Sequence, residues 1–168
     1  IRDKETAIIA IHSALTGHIV LSSLHTNDAA GAVIRLVEMG IEPFLAASAI
    51  SCVIGQRLLR KICVECKEAY HPTPAMLKNL NIPDDALLYR GKGCPSCKYT
   101  GYKGRTGVFE VLVVDDTIKE LLISKTSSDI IKKAAVENGM TVMHEDAIKK
   151  VLLGITTLEE ALDVSRIE

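Results

Sequence analysis

The sequence predicts an α/β fold that carries a small metal-binding insert and ends in a helical subdomain. Three observations lead to this prediction. A β-prone run at residues 18–24 lies between segments whose apolar residues have helical spacing. Residues 61–107 lose this periodicity and contain two C-x-x-C pairs. A strand pattern follows at residues 108–114, and the remainder of the chain again has helical spacing.

The composition is that of a globular protein and argues against several other classes. Of the 168 residues, 48% are apolar and 24% are charged, which argues against disorder. The net charge of −1 and the aromatic content of 4% argue against nucleic acid as the main partner. The longest apolar-rich stretch, residues 43–55, is shorter than the roughly 20 residues of a transmembrane helix, and no secretory signal is recognisable. Because the chain begins with Ile1, we expect it to be part of a longer protein.

The first third predicts a helix, a strand and two further helices. Residues 3–16 have helical spacing, and Gly17 follows as a C-terminal cap. Residues 18–24 are expected to form a buried strand of a parallel sheet. A helix is predicted over residues 29–39, and another is predicted from Pro43 to about Leu59.

The rest of the chain predicts an insert, one strand and four short helices. The insert at residues 61–107 is rich in cysteine, proline and glycine, and a short helix is expected at 75–80. The helices after the strand are expected at about 116–123, 128–136, 144–153 and 157–164. The predicted regions are therefore residues 1–60, 61–107 and 108–168.

Four of the five cysteines have the spacing of a structural zinc site. Cys63 and Cys66 form one pair, and Cys94 and Cys97 form a second pair with 27 residues between the two. Four thiolates favour zinc and leave no position open for water, which predicts a structural ion. Two disulfides would need an oxidising compartment, and a redox dithiol needs one pair, so we favour zinc over both alternatives. The fifth cysteine, Cys52, is expected to be an inert core residue.

The segment from His25 to Asp28 is a candidate binding site. His25 follows the predicted strand, and the next helix begins within three residues. Ligands of open α/β sheets bind at such strand ends, and a helix N-terminus there favours an anion. The side chains of His25, Thr26 and Asn27 could therefore hydrogen-bond a phosphate. The alternative is that residues 26–28 only cap the helix, and both interpretations remain open.

Residues 14–29 resemble the histidine box of the secretion ATPase superfamily, which includes the motor ATPases of type II secretion and type IV pilus assembly. Further segments are similar to the same family, namely Ile1–Asp3, Met39–Leu45, Gln56–Arg60, Cys94–Tyr102, Gly104–Gly107 and Glu110. The resemblance covers nearly the whole chain. Two cysteine pairs are typical of the secretion and pilus-extension branch.

The resemblance implies the C-terminal part of a RecA-like P-loop NTPase core within a hexameric motor that uses ATP and Mg²⁺. It implies a cytoplasmic protein that is peripheral at the bacterial inner membrane, with a platform protein of that membrane as its partner. ATP hydrolysis would drive the addition of pilin or pseudopilin subunits to a filament.

The same resemblance implies roles for particular residues. His25 and Thr26 would act in catalysis near the γ-phosphate. The residues expected near the nucleotide or a subunit interface are Arg2 and Asp3, beside the Walker B strand, together with Gln56, Arg57 and Arg105. No direct role is expected for His12, His71 and His144.

The chain departs from the family pattern because it contains no G-x-x-x-x-G-K-[ST] phosphate loop, and the Walker B glutamate would lie immediately before Ile1. We therefore expect the isolated chain to be inactive. One alternative is a non-catalytic, zinc-stapled interaction module. Another is a zinc-ribbon nucleic-acid binder, against which the charge balance argues.

Overall fold

The chain has a mixed α/β fold in a computed structural model that describes residues 1–77, 80, 82–83 and 85–165. The helices are α1 (Lys4–Leu15), α2 (Ala29–Glu38), α3 (Pro43–Ala49), α4 (Pro74–Leu77), α5 (Asp116–Ile123), α6 (Ser128–Glu137), α7 (Met143–Leu152) and α8 (Leu158–Ser165). The strands are β1 (Cys52–Ile62), β2 (Lys67–Tyr70), β3 (Leu88–Gly91) and β4 (Tyr102–Val113). Strand β1 pairs with β4, and β2 pairs with β3 in antiparallel register, with Lys67 opposite Gly91.

Apart from α3, the helices on either side of the insert lie close to their predicted bounds, and side-chain caps mark the start of three of them, α1, α2 and α5. The Asp3 carboxylate accepts a hydrogen bond from the Thr6 N–H at 2.8 Å and caps α1. Asp115 caps α5 in the same way. Gly17 follows α1 with a φ of +94°, a conformation that favours glycine. The predicted helix at 75–80 corresponds to α4, but residues 78 and 79 lie outside the described residues.

The predicted helix from Pro43 to Leu59 is wrong after its first two turns. Helix α3 ends at Ala49, and β1 begins at Cys52. Exposure alternates with a period of two over residues 52–59, as expected for a strand with one face packed. Cys52 is exposed, so its prediction as a core residue is also wrong.

The predicted buried strand at residues 18–24 is also wrong. This run forms no strand, and Ile19 and Leu21 are each 92% exposed. A buried parallel strand needs strands at its edges and helices over its faces. None of the described strands pairs with this run.

The chain divides into two compact units. The first contains residues 1–55 and 110–142, and the second contains residues 56–109 and 143–168. The core of the first unit includes Ile11, Val33, Leu36, Ala46, Leu112, Ile118, Leu122 and Ile131. The core of the second unit includes Leu59, Leu88, Val108, Met143, Ala147, Val151 and Leu158. The three regions expected from the sequence remain a prediction. No described helix has the length and apolar character needed to cross a bilayer.

In the second unit, Arg60 on β1 binds Glu160 on α8. Glu160 accepts hydrogen bonds from the Arg60 Nε at 2.9 Å, from its Nη2 at 2.6 Å and from its backbone N–H at 2.8 Å. The guanidinium also lies 4.1 Å from the ring centre of Tyr102, whose hydroxyl is 2.9 Å from the Thr157 hydroxyl. Burial opposes ionisation of Glu160, but the bonds and charge of Arg60 outweigh it and lower the carboxyl pKa.

Replacing Glu160 with alanine should lower the free energy of unfolding near neutral pH by about 1–2 kcal/mol, because the backbone N–H and the guanidinium of Arg60 lose the buried carboxylate that accepts their hydrogen bonds. The native pKa of Glu160 lies below its ordinary value of 4.5. The stabilisation is therefore complete above that pH and is lost as the pH falls through the lower native value. Urea unfolding at about pH 7 and about pH 3 checks this. The difference in the free energy of unfolding between Glu160→Ala and the unsubstituted chain should shrink at the acidic pH.

The control for this experiment is Glu159→Ala, which changes the exposed neighbouring residue. This variant should have a free energy of unfolding close to that of the unsubstituted chain at both pH values. A Glu160→Ala difference that stays constant across the pH range would contradict the role assigned to the carboxylate.

Candidate metal centre and histidine segment

Four cysteines of the second unit meet at one point. Cys63 follows β1 and Cys66 precedes β2, whereas Cys94 caps and Cys97 ends a short turn of 3₁₀ helix (Pro95–Cys97). Their Sγ atoms all lie within 4.8 Å of one another, with separations of 3.8 Å for Cys63–Cys94, 3.9 Å for Cys66–Cys97 and 3.7 Å for Cys94–Cys97. A tetrahedral ion with metal–sulfur bonds of about 2.3 Å holds its sulfurs about 3.8 Å apart. The four side chains therefore fit a single metal ion, and no disulfide joins them.

Backbone N–H groups surround the sulfur atoms. Gly93 donates to the Sγ of Cys66 at 3.3 Å, and the N–H groups of Cys94 and Gly101 donate to the Sγ of Cys97 at 3.2 and 3.3 Å. Such donors stabilise thiolates and orient them toward an ion. A Cβ atom at Gly91 would lie 2.1 Å from the Gly101 carbonyl oxygen, so the close backbone approach beside the centre requires glycine there.

The thiols of Cys66 and Cys97 have pKa values shifted in opposite directions. Burial raises the pKa of Cys66 to about 12. Burial also disfavours the Cys97 thiolate, but the N–H groups of Cys94 and Gly101 outweigh it and lower the pKa of Cys97 to about 6. Cys97 is therefore ready to bind a cation near neutral pH, whereas a metal ion must displace the proton of Cys66.

These cysteines are placed so that they could hold a metal ion. Within the part of the chain that the structure describes, no other set of three or more histidine, cysteine or acidic side chains is placed to hold an ion. His71, which lies near the insert in sequence, is exposed and does not belong to the group.

Residues 25–28, which we call the histidine segment, lie at the start of α2 in the first unit. The His25 and Asn27 side chains are exposed, and Thr26 donates from its hydroxyl to the Asp28 carbonyl at 3.1 Å. Asp28 caps α2, because its Oδ1 accepts from the Gly31 N–H at 2.7 Å. Its other carboxylate oxygen lies 3.5 Å from the Lys132 ammonium. The segment is thus anchored through Asp28, and the imidazole of His25 faces solvent.

A buried carboxylate, which the sequence analysis did not assign to the site, also holds the histidine segment. Glu110 on β4 is only 1% exposed, and its Oε1 accepts from the Ala29 N–H at 2.6 Å. A Cβ atom at Gly55 would lie 2.8 Å from the Glu110 Cγ, so glycine leaves room for this side chain. The available signal was a carboxylate between Val108 and Leu112, at an inward position of the predicted strand.

These contacts weaken the interpretation that the N-terminus of α2 binds an anion through its backbone N–H groups. Two of its first N–H groups, those of Ala29 and Gly31, already donate to the carboxylates of Glu110 and Asp28. The capping role expected for this segment is therefore present at Asp28. A phosphate contact by His25 or Thr26 stays a prediction, and it would have to come from their side chains.

The other predicted nucleotide-site residues fall in both units. Arg2 and Asp3 belong to the first unit, where Arg2 is exposed and Asp3 caps α1. The Ile1 nitrogen donates to the Ser23 carbonyl at 2.6 Å, which brings the start of the chain beside the histidine segment. Arg57, half-buried on β1, and Arg105, exposed on β4, belong to the second unit.

Comparison with known proteins gives the class of the protein. Residues 1–163 match the family described as type II/IV secretion system protein, and the chain belongs to this family.

Individual relatives are named for type IV pilus assembly and for type II secretion. The chain is 49% identical over 166 residues to the type IV pilus assembly ATPase PilB of Thermus thermophilus, a match that covers 96% of this chain and 19% of that protein. It is 46% identical over 170 residues to the type II secretion system protein E of Pseudomonas aeruginosa, which covers 100% of this chain and 34% of that protein. The chain thus spans between about a fifth and a third of the length of these relatives.

Two solved structures share the fold of this chain. The pilus retraction motor PilT with bound ADP superposes with a TM-score of 0.64 at 22% identity, over 98% of this chain and 37% of that one. The Legionella pneumophila ATPase DotB superposes with a TM-score of 0.65 at 20% identity, over 99% and 37%.

Replacing Glu110 with alanine should lower the free energy of unfolding by about 1–3 kcal/mol, because the Ala29 N–H would lose its buried acceptor. Glu110→Gln should cost less, since an amide oxygen can still accept this bond. Chemical denaturation, combined with the hydrogen-exchange rate of the Ala29 amide, measures both effects. Glu137→Ala, at an exposed position of α6, is the control. If Glu110→Ala unfolds like this control and the Ala29 amide keeps its exchange rate, the anchoring role is wrong.

Proposed function

We propose that this chain is the C-terminal part of a hexameric motor ATPase with a RecA-like P-loop core, which powers type II secretion or type IV pilus assembly. The observation that carries this proposal is the family match over residues 1–163. Relatives named as a pilus assembly ATPase and as a type II secretion ATPase, the latter 45% identical in Vibrio cholerae, support it further.

The exposed run at residues 18–24 supports a core that is larger than this chain. Ile19 and Leu21 are apolar and almost fully exposed, although the run has the composition of a buried strand. In a RecA-like core, neighbouring strands and helices would cover these side chains. The chain also contains no phosphate loop, so we infer that residues outside it cradle the β- and γ-phosphates of ATP.

The contribution of this chain to catalysis would come from the histidine segment. The exposed imidazole of His25 can hydrogen-bond a phosphate oxygen, and Thr26 supports the backbone beside it. Bound ATP with Mg²⁺ would supply the phosphoryl group and the charge that neutralises it. Glu110 and Asp28 keep the α2 N-terminus in place, so His25 works from an anchored backbone.

The arginine residues would serve binding rather than proton transfer. A guanidinium is always charged and matches the geometry of phosphate oxygens. We assign Arg2, Arg57 and Arg105 to contacts with the nucleotide or with a neighbouring subunit. Asp3 would act indirectly, by fixing the first turn of α1 beside Arg2.

The metal centre would bind structural zinc through Cys63, Cys66, Cys94 and Cys97. Thiolate ligands favour zinc among the common divalent ions, and four of them leave no open position. The ion would hold the insert in its fold. We further propose that the whole protein works at the cytoplasmic face of the bacterial inner membrane, against a platform protein of that membrane.

The ATPase proposal predicts that the coding DNA upstream of Ile1 encodes a phosphate loop and a Gly-Glu pair. In the longer gene product, His25→Ala should lower kcat by about a hundredfold, which is the lower end of the loss seen when one hydrogen-bond donor to the transition state is removed. The control is His71→Ala, an exposed residue of the other unit, which should keep the full rate. The present chain alone should show no turnover above background.

Two outcomes would contradict this proposal. A start codon directly before Ile1 would leave the protein without a nucleotide cradle, and a zinc-stapled interaction module would then be the better assignment. Robust ATP hydrolysis by the purified chain alone would mean that the phosphate-binding residues lie within this chain and not outside it.

The zinc proposal predicts one zinc ion per chain. Cys94→Ser should abolish tight metal binding and unfold the insert at residues 61–107, because structural zinc contributes folding energy. Elemental analysis and hydrogen exchange of the insert measure both effects. Cys52→Ser is the matched control, since Cys52 is exposed and lies outside the group. Retention of one tightly bound zinc by Cys94→Ser would contradict a closed site of four thiolates.

A further inference from the structure

A second set of contacts joins the two cysteine pairs on their outer side. Glu65 lies inside the first pair, Cys63–Cys66, and Ser96 lies inside the second pair, Cys94–Cys97. The Ser96 hydroxyl donates to the Glu65 Oε1 at 2.5 Å. The Lys103 ammonium on β4 donates to the Ser96 Oγ at 2.6 Å and to the same Glu65 oxygen at 3.2 Å. We call these three residues the Glu65–Ser96–Lys103 triad.

We propose that the Glu65–Ser96–Lys103 triad is a latch that keeps the two cysteine pairs together and slows the release of the metal ion. The proposal goes beyond the motor function, and it rests only on the assignment of the four cysteines as metal ligands.

The position of the triad gives it this role. A bound ion can leave only if at least two thiolates separate, and the simplest opening moves one cysteine pair away from the other. Glu65 and Ser96 stand 31 residues apart in the chain, and each is fixed to its own pair by two peptide units at most. Separation of the pairs therefore breaks the bond between them.

The charge of Lys103 should also favour the metal-loaded state. Four thiolates around a divalent cation carry a net charge of −2, so a nearby ammonium is attracted to the loaded centre. The triad holds the Lys103 ammonium close to the cysteines, and the Glu65 carboxylate forms an ion pair with it. The hydrogen bond and charge of Glu65, with the added charge of Cys63 and Cys94, raise the pKa of Lys103.

The same geometry also resembles a serine–lysine catalytic pair, but the charges argue against that function. A lysine that activates serine must accept its proton, which requires a lowered ammonium pKa. The pKa of Lys103 is instead raised by Glu65, and the pKa of Glu65 is lowered by Ser96 and Lys103. The pair Lys103 and Glu65 therefore stays ionised, and Ser96 serves as a hydrogen-bond bridge.

The side chains of Glu65 and Lys103 are 53% and 55% exposed, which sets the size of the effect. Exposed ion pairs contribute little to equilibrium stability. A latch of this kind should therefore change the rate of metal loss by about threefold to fivefold, and it should leave the coordination itself unchanged.

The test measures zinc release from the full chain into excess chelator, followed by a colorimetric zinc indicator. Ser96→Ala, Glu65→Gln and Lys103→Met should each release zinc about threefold to fivefold faster than the unsubstituted chain. Lys103→Arg keeps the charge and the donors and should restore slow release. The double variant Ser96→Ala/Lys103→Met should be little faster than either single variant, because both break one network. Lys119→Met, which removes an exposed ion pair with Asp116 on α5, is the matched control.

Cobalt substitution separates a latch from a change in the ligands. The visible spectrum of the cobalt-loaded chain reports tetrahedral thiolate coordination, and it should be the same in every triad variant. Release rates within twofold of the Lys119→Met control would overturn the latch, and so would an altered cobalt spectrum. If the unsubstituted chain binds no metal, the zinc assignment fails together with the latch; if it binds zinc and the rates are equal, only the latch fails.

Discussion

The close approach of four sulfur atoms is the constraint on which the second unit depends. Strands β2 and β3 contain four residues each, and a hairpin of that size is marginally stable by itself. Thiols at separations of 3.7–3.9 Å would gain stabilisation from an ion that replaces their protons. The centre also reaches the long strands: Gly101 donates to the Cys97 sulfur and accepts from the Cys63 N–H at 2.9 Å. Metal binding would therefore fix one end of the β1–β4 pairing together with the insert.

In the first unit, the comparable constraint is the pair of carboxylates at the start of α2. Glu110 and Asp28 satisfy N–H groups that would otherwise need water or a ligand. This leaves the imidazole of His25 in solvent while the backbone beside it is held by a buried residue. A side chain that must meet a ligand benefits from such an arrangement, because its supporting atoms are ordered before the ligand arrives. The helix N-terminus thus acts as an anchor for the histidine segment.

The sequence predicted the elements whose signals are local. Helices α1 and α5 were found because an aspartate cap and apolar spacing occur within a few residues of each other. Strand β1 was misread as helix because a continuous apolar run does not distinguish a strand from a buried helix, and its partner β4 begins 40 residues after β1 ends. The predicted strand at residues 18–24 was wrong for a related reason, since a β-prone composition does not indicate which strands are present to pair with it.

The candidate sites follow the same rule. The group of four cysteines was predictable because each C-x-x-C pair is a pattern of four residues, and the exposed histidine was found through a short segment that resembles a family motif. The residues that hold the histidine segment and the cysteine pairs in place were not predictable from such patterns. The contact between Glu110 and Ala29 spans 81 residues, and the bond between Glu65 and Ser96 spans 31. Residues that touch a ligand leave local signals, whereas residues that position them act through the fold and become recognisable only when distant segments are brought together.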